Sequence, residues 1–115
     1  MALSEFEIKR TEKLVAKFLE SRRPEPHVRT KLDFSFRMKN QSVEIFSIRP
    51  QWDKPENIIE EPVAKATFVK TKKMWKLYWM RADLKWHSYQ PLAESTSLEK
   101  VLAEIGRDPH GCFWG

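Results

Sequence analysis

Glycine is scarce in this chain: three in 115 residues, at positions 106, 111 and 115. That leaves no material for a loop that cradles phosphate with backbone N–H groups. Cysteine occurs once, as Cys112, which excludes an internal disulfide framework and fits a reducing cytoplasm. No apolar run approaches the length of a membrane span. Met1 to Arg10 already mixes acidic, basic and apolar residues in helical alternation, unlike a signal peptide. The expectation is a cytoplasmic chain with no membrane partner. Zinc needs a set of His and Cys ligands. Only His27, His87, His110 and Cys112 are available, and the close pair His110 and Cys112 is two ligands rather than a site. Cys112 beside Phe113 reads as a small buried hydrophobe, not a nucleophile. No metal, cofactor or catalytic residue is assigned.

What is present argues for one folded unit over residues 1–115. Hydrophobic residues make up 41% and aromatics 12%, too much for a disordered chain of this size. The net charge of +5 is unevenly placed. Residues 1–31 carry eight cations against five anions, residues 32–90 eleven against seven, and residues 91–115 two against four. A basic body permits binding to a polyanion without demanding it.

The densest stretch is Lys70 to Tyr89, with three of the five tryptophans, both tyrosines, six cations and one anion. Trp75, Leu77 and Trp79 alternate with Lys76, Tyr78 and Met80, which puts the two sets on opposite faces of a strand. The tryptophan set is the core candidate, because an indole carries a large apolar area. Thr71-Lys72-Lys73 and Arg81 to Lys85 read as turns, so Val63–Lys70, the Trp75 strand and Trp86–Tyr89 form a meander stopped by Pro91.

The run WKLYWMRADLKWHSY, the earlier IRPQWDKP, the VAKATFVK strand and the closing GCFWG together resemble a bacterial family of domains of unknown function. The resemblance covers nearly the whole chain from Val43 on, with the words in the same order. It implies a single soluble bacterial domain and brings no assigned activity, cofactor or catalytic residue.

Elsewhere, Ser4-Glu5-Phe6-Glu7 is a capping box opening a helix with Ile8, Thr11, Val15, Phe18 and Leu19 as its buried stripe. Pro24 and Pro26 end it. Leu32, Phe34, Phe36 and Met38 alternate with Asp33, Ser35, Arg37 and Lys39 in a half-buried strand. Val43 to Arg49 is the next strand, apolar on both faces, which predicts an interior position or a covered second face. Pro50 to Pro62 reads as a long irregular segment in which Trp52 caps an open edge of the core. Thr96 to Glu99 reads as a second capping box, Leu98, Val101, Leu102 and Ile105 as its helix stripe, and Gly106 as the C-cap. Phe113 and Trp114 are expected to dock on the sheet. The fold class is α+β: an N-terminal helix, an antiparallel meander of about five strands and a C-terminal helix, with both helices on one face.

Three functional expectations follow. The first is nucleic-acid contact through a basic aromatic hairpin, with Lys70, Lys72, Lys73, Lys76 and Lys85 on phosphates and Tyr78 or Trp86 stacking on bases. The second is a protein-interaction module, using exposed aromatics of the two-sided apolar strand Val43 to Ile48 to bind another protein or a second copy. The third is a metal-dependent nuclease with Asp33 and Glu44 on adjacent strands, and Asp83 near Lys85. A ligand pocket walled by Arg49, Trp52, Asp53, Arg81 and His87 requires those residues to converge. Asp83 is expected to accept backbone N–H bonds in its turn, with Arg81 against an indole.

Overall fold

The computed structural model describes residues 4–114. Helix α1 spans Glu5–Glu20. It starts where the Ser4 hydroxyl accepts from the Glu7 N–H and the Glu7 carboxylate accepts from the Ser4 N–H, each at 3.1 Å. Six strands follow: β1 Asp33–Lys39, β2 Ser42–Pro50, β3 Ile58–Val69, β4 Met74–Met80, β5 Trp86–Ser88 and β6 Glu94–Ser95. Helix α2, Leu98–Arg107, closes the order.

Strands β1 to β5 lie side by side in chain order, each antiparallel to the next. The short β6, which periodicity did not reveal, pairs with the first residues of β4 beyond a 3-10 turn at Gln90–Leu92. The period-two pattern decides the faces. Phe34, Phe36 and Met38 of β1, Val43 and Ile45 of β2, Ala64 and Ala66 of β3, and Trp75 and Leu77 of β4 share one core with Val15 and Leu19 of α1 and Val101, Leu102 and Ile105 of α2. Both helices therefore cover the same face: α1 packs on β1, and α2 on β4 and β6. Strand β2 is interior, as its apolar faces require. Its second face carries Phe46, which lies outside the core cluster.

Four local expectations need correction. The segment from Pro50 to Pro62 is nearly half strand: β2 runs to Pro50, and β3 begins at Ile58 rather than Val63. Proline cannot donate to a ladder, so it sits at a strand end and at a bulge. Pro50 ends β2, and Pro62 stands where the β2–β3 register shifts. Trp52 does not cap the core; it is 91% exposed on the short connection between these strands. The α2 cap is Ser97, whose hydroxyl accepts from the Lys100 N–H, one residue later than the Thr96 box. The helix also runs past Gly106 to a C-cap at Asp108, whose φ of 42° is left-handed.

The scarcity of glycine shows in the turns. Asn40, Lys73, Leu84 and Asp108 all adopt left-handed φ values that glycine would take without strain. Asp108 repays its strain with three contacts. Its carboxylate accepts from the Cys112, Phe113 and Trp114 N–H groups at 2.7, 3.2 and 2.9 Å. That folds the tail back, so Phe113 enters the core and the Trp114 indole donates to the Ile105 carbonyl at 2.7 Å. Trp114 also meets Phe34 edge to face, with ring centroids 5.0 Å apart. The tail docks as its apolar residues demand.

Candidate functional site

The face of the sheet that the helices leave uncovered is organised in lateral rows, because directly paired residues on antiparallel strands share a face. One row crosses all five meander strands: Arg37, Glu44, Lys65, Tyr78 and Ser88 are successive partners. A second row runs from Lys39 through Ser42, Thr67 and Lys76 to Glu94. A third brings together Ser35, Phe46 and Pro62 on one side and Met80 with Trp86 on the other. None of Phe46, Tyr78, Met80 and Trp86 belongs to the core, yet each is only half-exposed.

Cations lie against these rings. The Arg37 guanidinium sits 4.2 Å from the Phe46 ring centre. The Lys65 ammonium is 5.8 Å from the Tyr78 ring and 5.9 Å from the Trp86 ring. Cation–π attraction of this kind is worth about 0.5–1 kcal/mol at exposed sites. Arg37 is also paired with Glu60. Lys39, Lys65, Lys76 and Lys85 form no ion pair among the described residues. Glu44 likewise has no side-chain hydrogen bond or ion pair among them, although it is flanked by Arg37 and Lys65.

The residues singled out in the sequence divide between two ends of β4, which is seven residues and about 20 Å long. Lys70, Lys72 and Lys73 occupy the β3–β4 turn, where Lys72 reaches Glu94 at 3.8 Å. Lys85 and Trp86 lie at the opposite end, in and after the β4–β5 turn. Lys76 and Tyr78 lie between them on the open face. Lys65, Arg37 and Phe46 complete the surface and were not among the predicted nucleic-acid contacts. The signal for Lys65 was present in the alternation of Ala64 and Ala66 with Lys65 and Thr67, which sends the lysine outward.

The predicted pocket does not assemble. Arg49 is ion-paired with Glu61 and lines a cavity of about 530 Å³ beside Phe113 and Trp114. Arg81 and His87 line another of about 290 Å³ beside Tyr89 and Cys112. The two cavities share no residue, and Trp52 and Asp53 line neither. The turn itself forms as expected. Asp83 accepts from the Lys85 N–H at 3.0 Å and meets His87 Nε2 at 2.8 Å. The hydrogen bond from His87 holds the Asp83 carboxyl below its ordinary range. Arg81 lies 5.4 Å from the Trp79 ring.

The acidic pair of the nuclease reading is also apart. Arg37, not Asp33, is the partner of Glu44, and Asp33 lies four residues away along β1, about 13 Å. Both Asp33 oxygens are engaged by Arg23, at 2.9 and 2.7 Å, and this hydrogen-bonded pair lowers the Asp33 pKa. No three His, Cys, Asp or Glu side chains among the described residues gather as a metal cluster. Burial, then the nearby Asp108 carboxylate, raises the Cys112 pKa. No helix among the described residues is long and apolar enough to cross a membrane.

Residues 3–115 match the family described as a domain of unknown function, DUF3024. No curated protein and no solved structure matches the chain.

Proposed function

The chain belongs to the DUF3024 family of domains of unknown function, and from the geometry of its open sheet face we propose that it binds single-stranded nucleic acid. One observation carries the reading: Phe46, Tyr78 and Trp86 share one uncovered face with Arg37 and Lys65 against their rings. Rings held half-buried on a rigid sheet stack on bases of any identity, and cations among them neutralise phosphates. Unpaired bases are needed, since a stacked duplex hides its base faces. The lysines of the β3–β4 turn, Lys70, Lys72 and Lys73, extend the basic track past Lys76.

The test is fluorescence anisotropy of labelled single- and double-stranded RNA and DNA at low and physiological salt. The expected result is binding that prefers single strands and weakens steeply as salt rises. Equal binding of duplex and single strand, or none at low salt, overturns the reading. A second reading, contact with another protein, draws on Phe46 together with the exposed Trp52 and Ile58 on and beside the β2–β3 connection. Self-association by sedimentation that is lost in Phe46→Ser would favour it.

A further inference from the structure

The open face holds one concavity of distinct chemistry. Phe46, Pro62 and Trp86 form apolar walls around a slot of about 150 Å³, and Arg37, Glu44 and Glu60 reach its rim. Pockets that take drug-sized ligands start near 300 Å³, so this slot suits a single planar group. It sits at the β-bulge where the β2–β3 register shifts between Ile45 and Phe46. Ile45 points its side chain into the core and is 1% exposed, so only its backbone reaches the slot. Bulges of this kind re-aim side chains and recur beside functional sites.

The two carboxylates are not equivalent. Glu60 is taken by Arg37. Glu44 has no ion pair or side-chain hydrogen bond among the described residues. It is therefore an acceptor pair with no donor, at the rim of a slot with apolar walls.

Resting on the nucleic-acid reading above, we propose that this slot takes a guanine base, with the Glu44 carboxylate accepting from its Watson–Crick edge. Guanine alone among the common bases offers two adjacent donors there, the ring N1–H and the exocyclic amino group. A carboxylate accepts both in parallel, the arrangement that makes charge-assisted pairs strong. Uracil and thymine offer one N–H flanked by two carbonyls that repel the carboxylate. Adenine and cytosine offer an amino group beside an unprotonated ring nitrogen, which repels it too. The base takes the Phe46 ring face that the Arg37 guanidinium now covers at 4.2 Å. The arginine, still paired with Glu60, then closes over the base.

The experiment uses the full chain and labelled six-nucleotide uridine tracts carrying one central guanine, inosine, adenine or cytosine. The guanine probe is expected to bind roughly tenfold tighter than the others, the scale of one good bidentate base contact. Inosine lacks the exocyclic amino group and is expected to lose most of that advantage. Glu44→Gln is expected to abolish the preference while leaving uridine-tract affinity unchanged or higher, with an unaltered melting temperature as the folding control. Equal binding of all probes overturns the guanine slot and leaves the general reading intact. A preference that survives inosine or Glu44→Gln overturns the role of Glu44. No binding of any probe overturns both readings.

Discussion

The Tyr89 hydroxyl donates to Glu104 Oε2 at 2.7 Å, although both side chains are buried. Arg107 closes the other carboxylate oxygen at 2.7 Å. Burial and the facing carboxylate raise the Tyr89 phenol above its ordinary 10.0. The Tyr89 hydrogen bond, then Arg107, holds Glu104 below its ordinary 4.5. The folded state thus binds the tyrosine proton more tightly than the unfolded chain does. That stability is present below pH 10.0 and is lost as the phenol ionises above it. The glutamate works the other way: its contribution is present above pH 4.5 and is lost as pH falls through the depressed value. Tyr89→Phe is expected to cost about 1–3 kcal/mol at neutral pH, since it strands a buried acceptor. It should also remove part of the alkaline loss and shrink the acid one. Denaturant melts from pH 3 to 11 check this, and an unchanged alkaline limb in the variant would sink it.

Gly106 is expected to resist the usual helix-stabilising exchange. Glycine to alanine inside a helix ordinarily gains about 1 kcal/mol. Here an added Cβ would lie 3.0 Å from Phe18 Cε1. Phe18 cannot simply yield, because Trp114 packs beside it with ring centroids 6.5 Å apart. Gly106→Ala should lower the melting temperature, and adding Phe18→Leu should recover part of the loss. A rise in the single variant would refute the close approach.

Leu84 is both 81% exposed and left-handed, with φ at 62°. An L-residue with a bulky side chain pays about 1–2 kcal/mol there. Leu84→Asn and Leu84→Gly should both raise thermal stability, the asparagine by tolerating the conformation and the glycine by relieving it. If neither does, the turn is not strained.

Cations on the open face and cations in the β3–β4 turn should separate in binding. Lys65→Glu places a repelling charge beside Tyr78 and Trp86 and is expected to weaken single-strand binding at least tenfold. Lys72→Glu with Lys73→Glu should reduce the salt slope by roughly two, one for each phosphate contact. Tyr78→Ala and Trp86→Ala should each cost about 1–3 kcal/mol of affinity with the salt slope unchanged. Anisotropy titrations at four salt concentrations distinguish these outcomes. Uniform effects across all four variants would mean a diffuse electrostatic contact rather than a stacking face.

The architecture was legible because the alternations are clean. Phe34-Phe36-Met38 and Trp75-Leu77 announce both the strands and their buried face, and Ser4 with Glu7 announces the first helix. The misreadings have local physical causes. Pro50 and Pro62 look like breakers, yet one ends a strand and the other sits at a bulge where no donor is needed. Trp52 looks like a core residue by type alone, and nothing local shows that it lies on an exposed connection. The basic stretch reads as one cluster because its lysines are close in sequence, but an extended strand carries its two ends far apart. The row from Arg37 to Ser88 draws one residue from each of five strands. Only the register assembles it, and register is set by the whole sheet.

The meander and the terminal seam differ in how far the chain must travel to form them. Each strand pairs with its neighbour across a short connection, so most of the sheet closes through small loops at little entropic cost. The Arg22 guanidinium, by contrast, donates to the Gly106 carbonyl across 84 positions at 3.0 Å and lies 4.3 Å from the Trp114 ring. That contact is expected to form late, after the transition state has organised the sheet. Arg22→Ala should therefore speed unfolding while leaving the folding rate nearly unchanged, so this seam governs how long a folded molecule lasts rather than how quickly one is made.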